Sequence, residues 1–345
     1  RSSDLSCDGW DMFRKSRTNT DEYQIGNFGF DNGGFDTFIH EQFKTLFGTS
    51  DFYAYLEGIK TFQNPETVNI NIMATPGIDV FNNQSLVSEV QELVEEERKD
   101  VFYIPTLPDI KILDNNDPTD SSQFYYPEDV TALLDSKGYD SSYMAVYYPW
   151  IQKRDNRNNQ NVFLPPTAEI FRQIAFTDKV EDPWFAYAGY NRGVLNAIRT
   201  RDINISESVR DLLYQSNINP IPTFSDVGPI IFGNINLQQE ESMLNRVNIR
   251  RLLIQAQSLI KNVGKRLLFD PNDDTVEDEF ESQVNPILAN IANERGLIDF
   301  RVQVDSNAEE LDRRTLSGKI FLQPTPALEN MELEFIVSDS GESFS

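Results

Sequence analysis

Apolar and polar residues alternate along Val68-Asn69-Ile70-Asn71-Ile72, and the run meets Pro76-Gly77, which predicts a strand followed by a turn. From Asn83 to Arg98 the spacing lengthens, placing Leu86, Val90, Leu93 and Val94 at helical intervals. Val101-Phe102-Tyr103-Ile104 before Pro105 predicts a second strand. A helix over about 127–137 ends at Gly138, and Tyr143 to Tyr148, stopped by Pro149, predicts a third strand. Strand–helix–strand–helix–strand points to an α/β layer with parallel pairing. Pro165-Pro166 suits the first turn of a further helix. The polar stretches 108–123 and 152–161 read as loops.

Beyond residue 204, Ser206 to Gln215 reads as a Ser-capped helix, and Ile218 to Phe224 as extended chain interrupted by Pro220 and Pro222. Glu241 to Leu268 predicts one long helix and about 274–294 another, with Pro286 as a kink. Ile298, Phe300, Val302 and Val304 alternate with Asp299, Arg301, Gln303 and Asp305, the pattern of a half-buried strand. Leu316–Gln323 and Met331–Val337 predict two closing strands. Residues 1–65, rich in Asp, Asn, Gly and aromatics with turn chemistry at Asp31-Asn32-Gly33-Gly34, read as irregular and peripheral. The expected class is α/β, with mixed-sheet α/β layers and long helices in the C-terminal half. The expected divisions are 1–65, 66–203 and 204–345.

Composition narrows the function. The 345 residues carry 55 acidic and 30 basic side chains, a formal charge of −25, and such a field opposes general binding to phosphate backbones or anionic lipid. One cysteine, Cys7, permits no internal disulfide. One histidine, His40, leaves little material for Ser-His-Asp, Cys-His or multi-histidine zinc sites. No apolar run reaches the ~18 residues of a membrane span. The first residue is Arg1, not Met, so further chain is expected upstream.

Against this acidic background the helix from 241 to 268 stands out. Ile249, Leu252, Leu253, Ala256, Leu259, Ile260, Val263 and Leu267 share an arc of roughly 120°. Arg246, Arg250, Lys261 and Lys265 share another, and no acidic residue lies between Ser242 and Phe269. Two readings stand: a core helix whose outer face pairs with acidic neighbours, or a basic stripe that docks on an acidic partner. Asn262-Val263-Gly264-Lys265-Arg266 lacks the first glycine and the Ser/Thr of a phosphate loop, so it reads as helix. Asp270, Asn272, Asp274, Val276, Asp278 and Glu281 have calcium-loop spacing, but Thr275 replaces the required glycine and Pro271 intrudes; a capped helix start is the better reading. Met331 to Val337 either closes its own sheet or is donated to a neighbour's sheet edge.

Several stretches, in order, resemble the contractile tail sheath proteins of large tailed bacteriophages. They include Ala74-Thr75-Pro76-Gly77-Ile78, Tyr147-Tyr148-Pro149-Trp150, Leu164-Pro165-Pro166 and Pro183 to Gly189. They continue with Asn219-Pro220-Ile221, Gly228 to Gly233, Leu244 to Leu253, Phe269 to Asn272, Gly296 to Phe300 and Pro324. Phe232 and Tyr187 depart from the family's usual Trp and Pro.

The resemblance implies a structural subunit with no cofactor and no catalytic residue. Its expected partners are further copies in stacked rings, the tail tube protein, and baseplate and tail terminator proteins, with no nucleic acid and no membrane insertion. Its expected place is the virion tail, after assembly in the host cytoplasm. Residues 1–65 become the remnant of an outer insertion domain, 66–203 the sheath core and 204–345 the C-terminal sheath domain. Leu328, Met331, Leu333, Phe335 and Val337 become an inter-subunit linking strand, with Ile298, Phe300, Val302 and Val304 in the receiving sheet. Arg246, Arg250, Lys261 and Lys265 are expected to face the tube. A chain lacking the family's N-terminal arm is expected to stay monomeric. The alternatives are the sheath of a contractile bacteriocin or secretion system, a baseplate glycoside hydrolase using an acid pair with a raised pKa, and a calcium-binding adhesion module.

Overall fold

A computed structural model describes residues 50–81, 83–108, 127–201, 205–271, 273–304 and 316–329. The expectations for Cys7, His40, the Asp31–Gly34 turn, most of the 108–123 loop and the Met331–Val337 strand lie outside these residues.

The centre is a set of short parallel strands. β1 (Ile72–Asp79) pairs in parallel with β2 (Phe102–Thr106), and β3 (Val146–Tyr148) in parallel with β7 (Ile218–Pro220). A parallel bridge between Tyr103 and Met144 joins the two pairs. Side chains alternate across this sheet as strand geometry requires. Tyr103, Met144, Val146, Tyr148 and Ile218 enter one apolar cluster, while Phe102, Ile104, Ala145, Tyr147 and Ile221 enter another. Both faces are therefore buried, which explains the continuous apolar runs of β2 and β3.

The first face is covered by α1 (Ser50–Lys60), α2 (Gln84–Glu92), α3 (Pro127–Lys137) and α6 (Glu207–Gln215). α2 runs on into a π-helical turn, Leu93–Arg98, and ends where Lys99 turns left-handed at φ 58°. The second face is covered by α4 (Thr167–Val180), through Ile170 and Ile174, and by Val247 and Ile254 of α7 (Val247–Leu267). α7 then continues into a third cluster. There Leu252, Ala256, Val263 and Leu267 meet α8 (Asp274–Asn293), the antiparallel ribbon of β10 (Leu297–Val304) and β11 (Gly318–Pro324), and Trp184. One long amphipathic helix thus ties the central sheet to the C-terminal ribbon.

Several expectations are corrected. Ser50–Lys60 is a helix inside the segment read as irregular; Phe52, Tyr55, Leu56 and Ile59, spaced three and four apart, pack on the first cluster. Residues 152–161 are not a loop. They form a hairpin of β4 (Ile151–Asp155) and β5 (Gln160–Leu164), turned by Asp155 Oδ1 accepting the Arg157 and Asn158 N–H groups at 2.9 and 3.3 Å. Pro76-Gly77 does not end β1; the register shifts between Ala74 and Asp79, with Gly77 at φ 89°. Pro286 lies within α8 without ending it. The capped start of α8 is as expected, with Asp273 accepting the Thr275 and Val276 N–H groups.

The motif residues Asn219 and Gly233 have a physical reason. The fully buried Asn219 amide donates to Val146 O at 3.0 Å and Ile235 O at 2.7 Å, and its Oδ1 accepts Ile235 N–H at 2.8 Å. It stitches β3 and β7 to the following chain. A Cβ at Gly233 would fall 2.7 Å from Asn219 Oδ1, so no larger residue fits beside it.

Candidate functional site

The basic helix does not present its four cations together. Arg246 is the N-cap residue of α7, and its guanidinium donates to Glu329 through Nε at 2.7 Å and Nη2 at 3.1 Å. Arg250 is only 8% exposed. It lies 4.3 Å from the centre of the Tyr143 ring, donates to Ser142 Oγ, and its Nε has no partner. Burial pushes this guanidinium below its usual pKa, with Tyr143 and Glu95 acting in the opposite direction. Lys261 and Lys265, one turn apart on α7, are exposed. The helix expected from 241 begins only at Val247, so Arg246 stands outside it in extended backbone, and with Arg250 buried a shared outward face is reduced to the two lysines.

The expected receiving strand is β10, and here one residue departs. Phe300, Val302, Ile320 and Leu322 turn towards α7 and α8 as partly buried residues. Ile298 is 58% exposed, because the ladder shifts between Leu297 and Asp299 and a bulge turns its side chain outward. The two edges of the ribbon differ. The N–H of Phe300 donates to Asp299 Oδ1 at 2.9 Å and that of Val304 to Glu281 Oε1 at 3.2 Å. These groups point away from β11, so two N–H groups on β10's outer edge are taken up by carboxylates. By the alternation of the register, Gly318, Ile320 and Leu322 turn their backbone groups to the opposite edge. Among the described residues no strand pairs with either edge of the ribbon.

After β11 the chain continues as an extended strap. Thr325 N–H bonds Gly296 O at 3.1 Å, Leu328 is 79% exposed, and Glu329 reaches Arg246 and the Tyr214 hydroxyl. No local pattern in the sequence singles out Glu329 or Tyr214. The clue it did contain is the missing acidic residue at the start of α7, where a positive helix end calls for an anion.

Carboxylates gather in two other places. Glu95, Glu96, Asp140 and Glu240 stand with Ser141, Ser142, Tyr143 and Gln238 around an open cleft of about 390 Å³. Asp182 has its carboxyl raised from the usual range by burial, then by the charges of Glu294, Glu181 and Asp178; it does not line that cleft. Asp178 is paired with Arg251 at 2.6 Å.

No protein-family model matches the chain. Over 341 residues it is 26% identical to the tail sheath protein of Vibrio phage KVP40, covering 92% of this chain and 51% of that protein. It is 28% identical over 208 residues to the tail sheath protein of Enterobacteria phage T4, covering 59% and 31%. The sheath complex of an extracellular contractile injection system, PVC, in its contracted state superposes with a TM-score of 0.62 at 19% identity, over 81% of this chain and 74% of that one. The chain is related to phage tail sheath proteins and carries the sheath fold. A sheath tail protein from Desulfitobacterium hafniense gives a TM-score of 0.53 at 13% identity, over 82% of this chain and 58% of that one. The chain spans about half or less of the length of the phage sheath proteins it matches. The β10–β11 ribbon contains the expected receiving residues Ile298, Phe300, Val302 and Val304, and the strap contains Leu328.

Proposed function

We propose that the protein is a structural subunit of a contractile phage tail sheath, which polymerises around the tail tube and shortens to drive the tube through the host envelope. The observation that carries this reading is the likeness to phage sheath proteins, together with the two-stranded ribbon β10–β11, on whose β11 edge no strand pairs among the described residues. An open edge is a template for strand addition. In this reading Met331, Leu333, Phe335 and Val337 belong to the strand given to a neighbouring copy, and Leu328, expected in that strand, lies on the tether that leads to it. A neighbour's strand is received along β11, with the Phe300, Val302 and Val304 side of the ribbon held by α8. The work is mechanical and needs no catalytic group.

The tube contact is assigned to Lys261 and Lys265, which stand free of the acidic neighbours that engage Arg246. Exposed charge contacts suit an interface that must release during contraction. Baseplate and terminator proteins at the two ends of the polymer, and residence in the virion tail after assembly in the host cytoplasm, complete the proposal. The phage reading is preferred to a bacteriocin or secretion sheath because the sequence relatives are phage proteins.

Replacing Leu333 and Phe335 together by Asp in the full-length protein tests the linkage. The expected result is loss of polymers in sedimentation, with the melting temperature of the subunit unchanged. Polymers of normal length from this variant would refute the linking strand.

A further inference from the structure

The carboxylate of Glu329 is fully engaged at a point where three separate parts of the chain meet. Oε1 accepts from Arg246 Nε at 2.7 Å; Oε2 accepts from Arg246 Nη2 at 3.1 Å and from the Tyr214 hydroxyl at 2.9 Å. Arg246 also lies 5.8 Å from the Tyr214 ring centre and donates through Nη1 to Asn245 Oδ1 at 2.6 Å. Burial, then the Glu329 charge, holds the Tyr214 hydroxyl well above its usual pKa, so it stays a donor.

The position of this clasp matters as much as its bonds. α7 begins at Arg246 with no capping side chain and no acidic residue in its first turn. The helix start carries partial positive charge, and a guanidinium there adds to it. Glu329, brought from the far end of the chain, supplies the missing anion. Between the clasp and β11 little else holds the strap: its preceding anchor is the Thr325 N–H bond to Gly296 O, and Leu328 stands in solvent. The ion pair itself is partly in water, with side-chain exposures of 27% and 29%.

We propose that the Glu329–Arg246–Tyr214 clasp is a releasable latch that sets the length of the tether between β11 and the linking strand beyond it. When it is closed, the tether is rooted at Glu329, against α6 and the start of α7. When it is open, the root retreats to Thr325 and the four residues that follow become slack, adding up to about 14 Å of reach. This rests on the strand-linkage reading: subunits that shift past one another while staying joined need a tether of more than one length.

The latch is tested on the isolated full chain, where polymerisation plays no part. With Cys7→Ser as background, spin labels are placed at Leu328→Cys on the strap and Asp211→Cys on the exposed side of α6, and their distance distribution is measured. The expected result is one narrow distribution, broadened towards longer distances by Glu329→Gln or Arg246→Gln. The charge swap Arg246→Glu with Glu329→Arg is expected to narrow it again. A broad distribution in the parent, or variants as narrow as the parent, overturns the latch whatever the polymer does. Its release is tested separately, by joining positions 246 and 329 as cysteines through a short bis-maleimide. Assembled sheaths are then expected to form but not shorten, and normal shortening would overturn the release step. Failure of even the unmodified protein to polymerise would instead count against the sheath reading.

Discussion

Asn219 and Asn83 are equally hidden from solvent, at 0% and 1% exposure, but their side chains have opposite circumstances. The Asn219 amide satisfies the carbonyls of Val146 and Ile235 and the N–H of Ile235. Neither Nδ2 nor Oδ1 of Asn83 has a partner among the described residues. Asn219→Ala therefore strands three backbone groups in the interior. At about 1–1.5 kcal/mol for each buried group left unpaired, the loss is about 3–5 kcal/mol, a large share of the ~5–15 kcal/mol that holds a typical domain. Asn83→Ala removes two groups that are desolvated for nothing, so it should leave stability within about 0.5 kcal/mol of the parent or raise it by ~1 kcal/mol. Urea unfolding followed by far-ultraviolet circular dichroism reads both. A conservative Asn219→Asp keeps the shape and the acceptor but loses both donors, and should be no better than alanine. If the two alanine variants lose similar stability, burial and not hydrogen bonding sets the cost, and the assigned role of Asn219 fails.

Two further predictions concern charge. Glu169 is 6% exposed and paired with Lys153 and, at 2.7 Å, with Arg172. Burial alone would raise its carboxyl, but the two cations outweigh that and hold it below the usual range. A folded-state pKa below the unfolded one stabilises the protein above the usual carboxylate range and is lost as pH falls through the folded value. Glu169→Gln should thus cost about 1–2 kcal/mol at neutral pH, since the cations it leaves are partly in solvent, with the gap to the parent closing in acid when both are melted across pH. Lys261→Glu with Lys265→Glu should leave the melting temperature within about 2 °C of the parent and abolish assembly on purified tubes, because surface charges contribute ~0–1 kcal/mol to the fold. Normal assembly on tubes after that reversal would refute the tube contact.

Where local periodicity decides structure, the sequence was readable. The apolar faces of α2, α4, α7 and α8 and the alternation of β10 from Phe300 onward appear in the chain as they do in the fold. The same rule would have found α1 from Phe52, Tyr55, Leu56 and Ile59, had the polar composition of 1–65 not been allowed to outweigh it. The β4–β5 hairpin is different. Its strands carry Gln152, Lys153, Arg154, Gln160 and Asn161, and are held by contacts from far along the chain, such as Arg201 stacked 4.3 Å from the Phe163 ring centre. No period of two in apolarity announces such a pair.

The candidate site shows the same division. A helical wheel groups Arg250, Lys261 and Lys265, whose angular positions are local, but misplaces Arg246, which precedes the helix in extended backbone. It says nothing of what covers each one. Tyr143 and Ser142 bury Arg250 from more than a hundred residues away, and Glu329 claims Arg246 from the end of the chain. Tertiary contacts therefore turned a four-residue stripe into two structural arginines and two free lysines. Likewise, the bulge after Leu297 that exposes Ile298 arises from the pairing with β11, which the alternation in β10 alone does not contain.

The most direct test of the sheath reading is negative-stain electron microscopy of the complete gene product, expressed alone and concentrated. The account predicts hollow, striated tubes of uniform diameter, absent when Leu333 and Phe335 are both replaced by Asp. Discrete particles under every salt condition would contradict it.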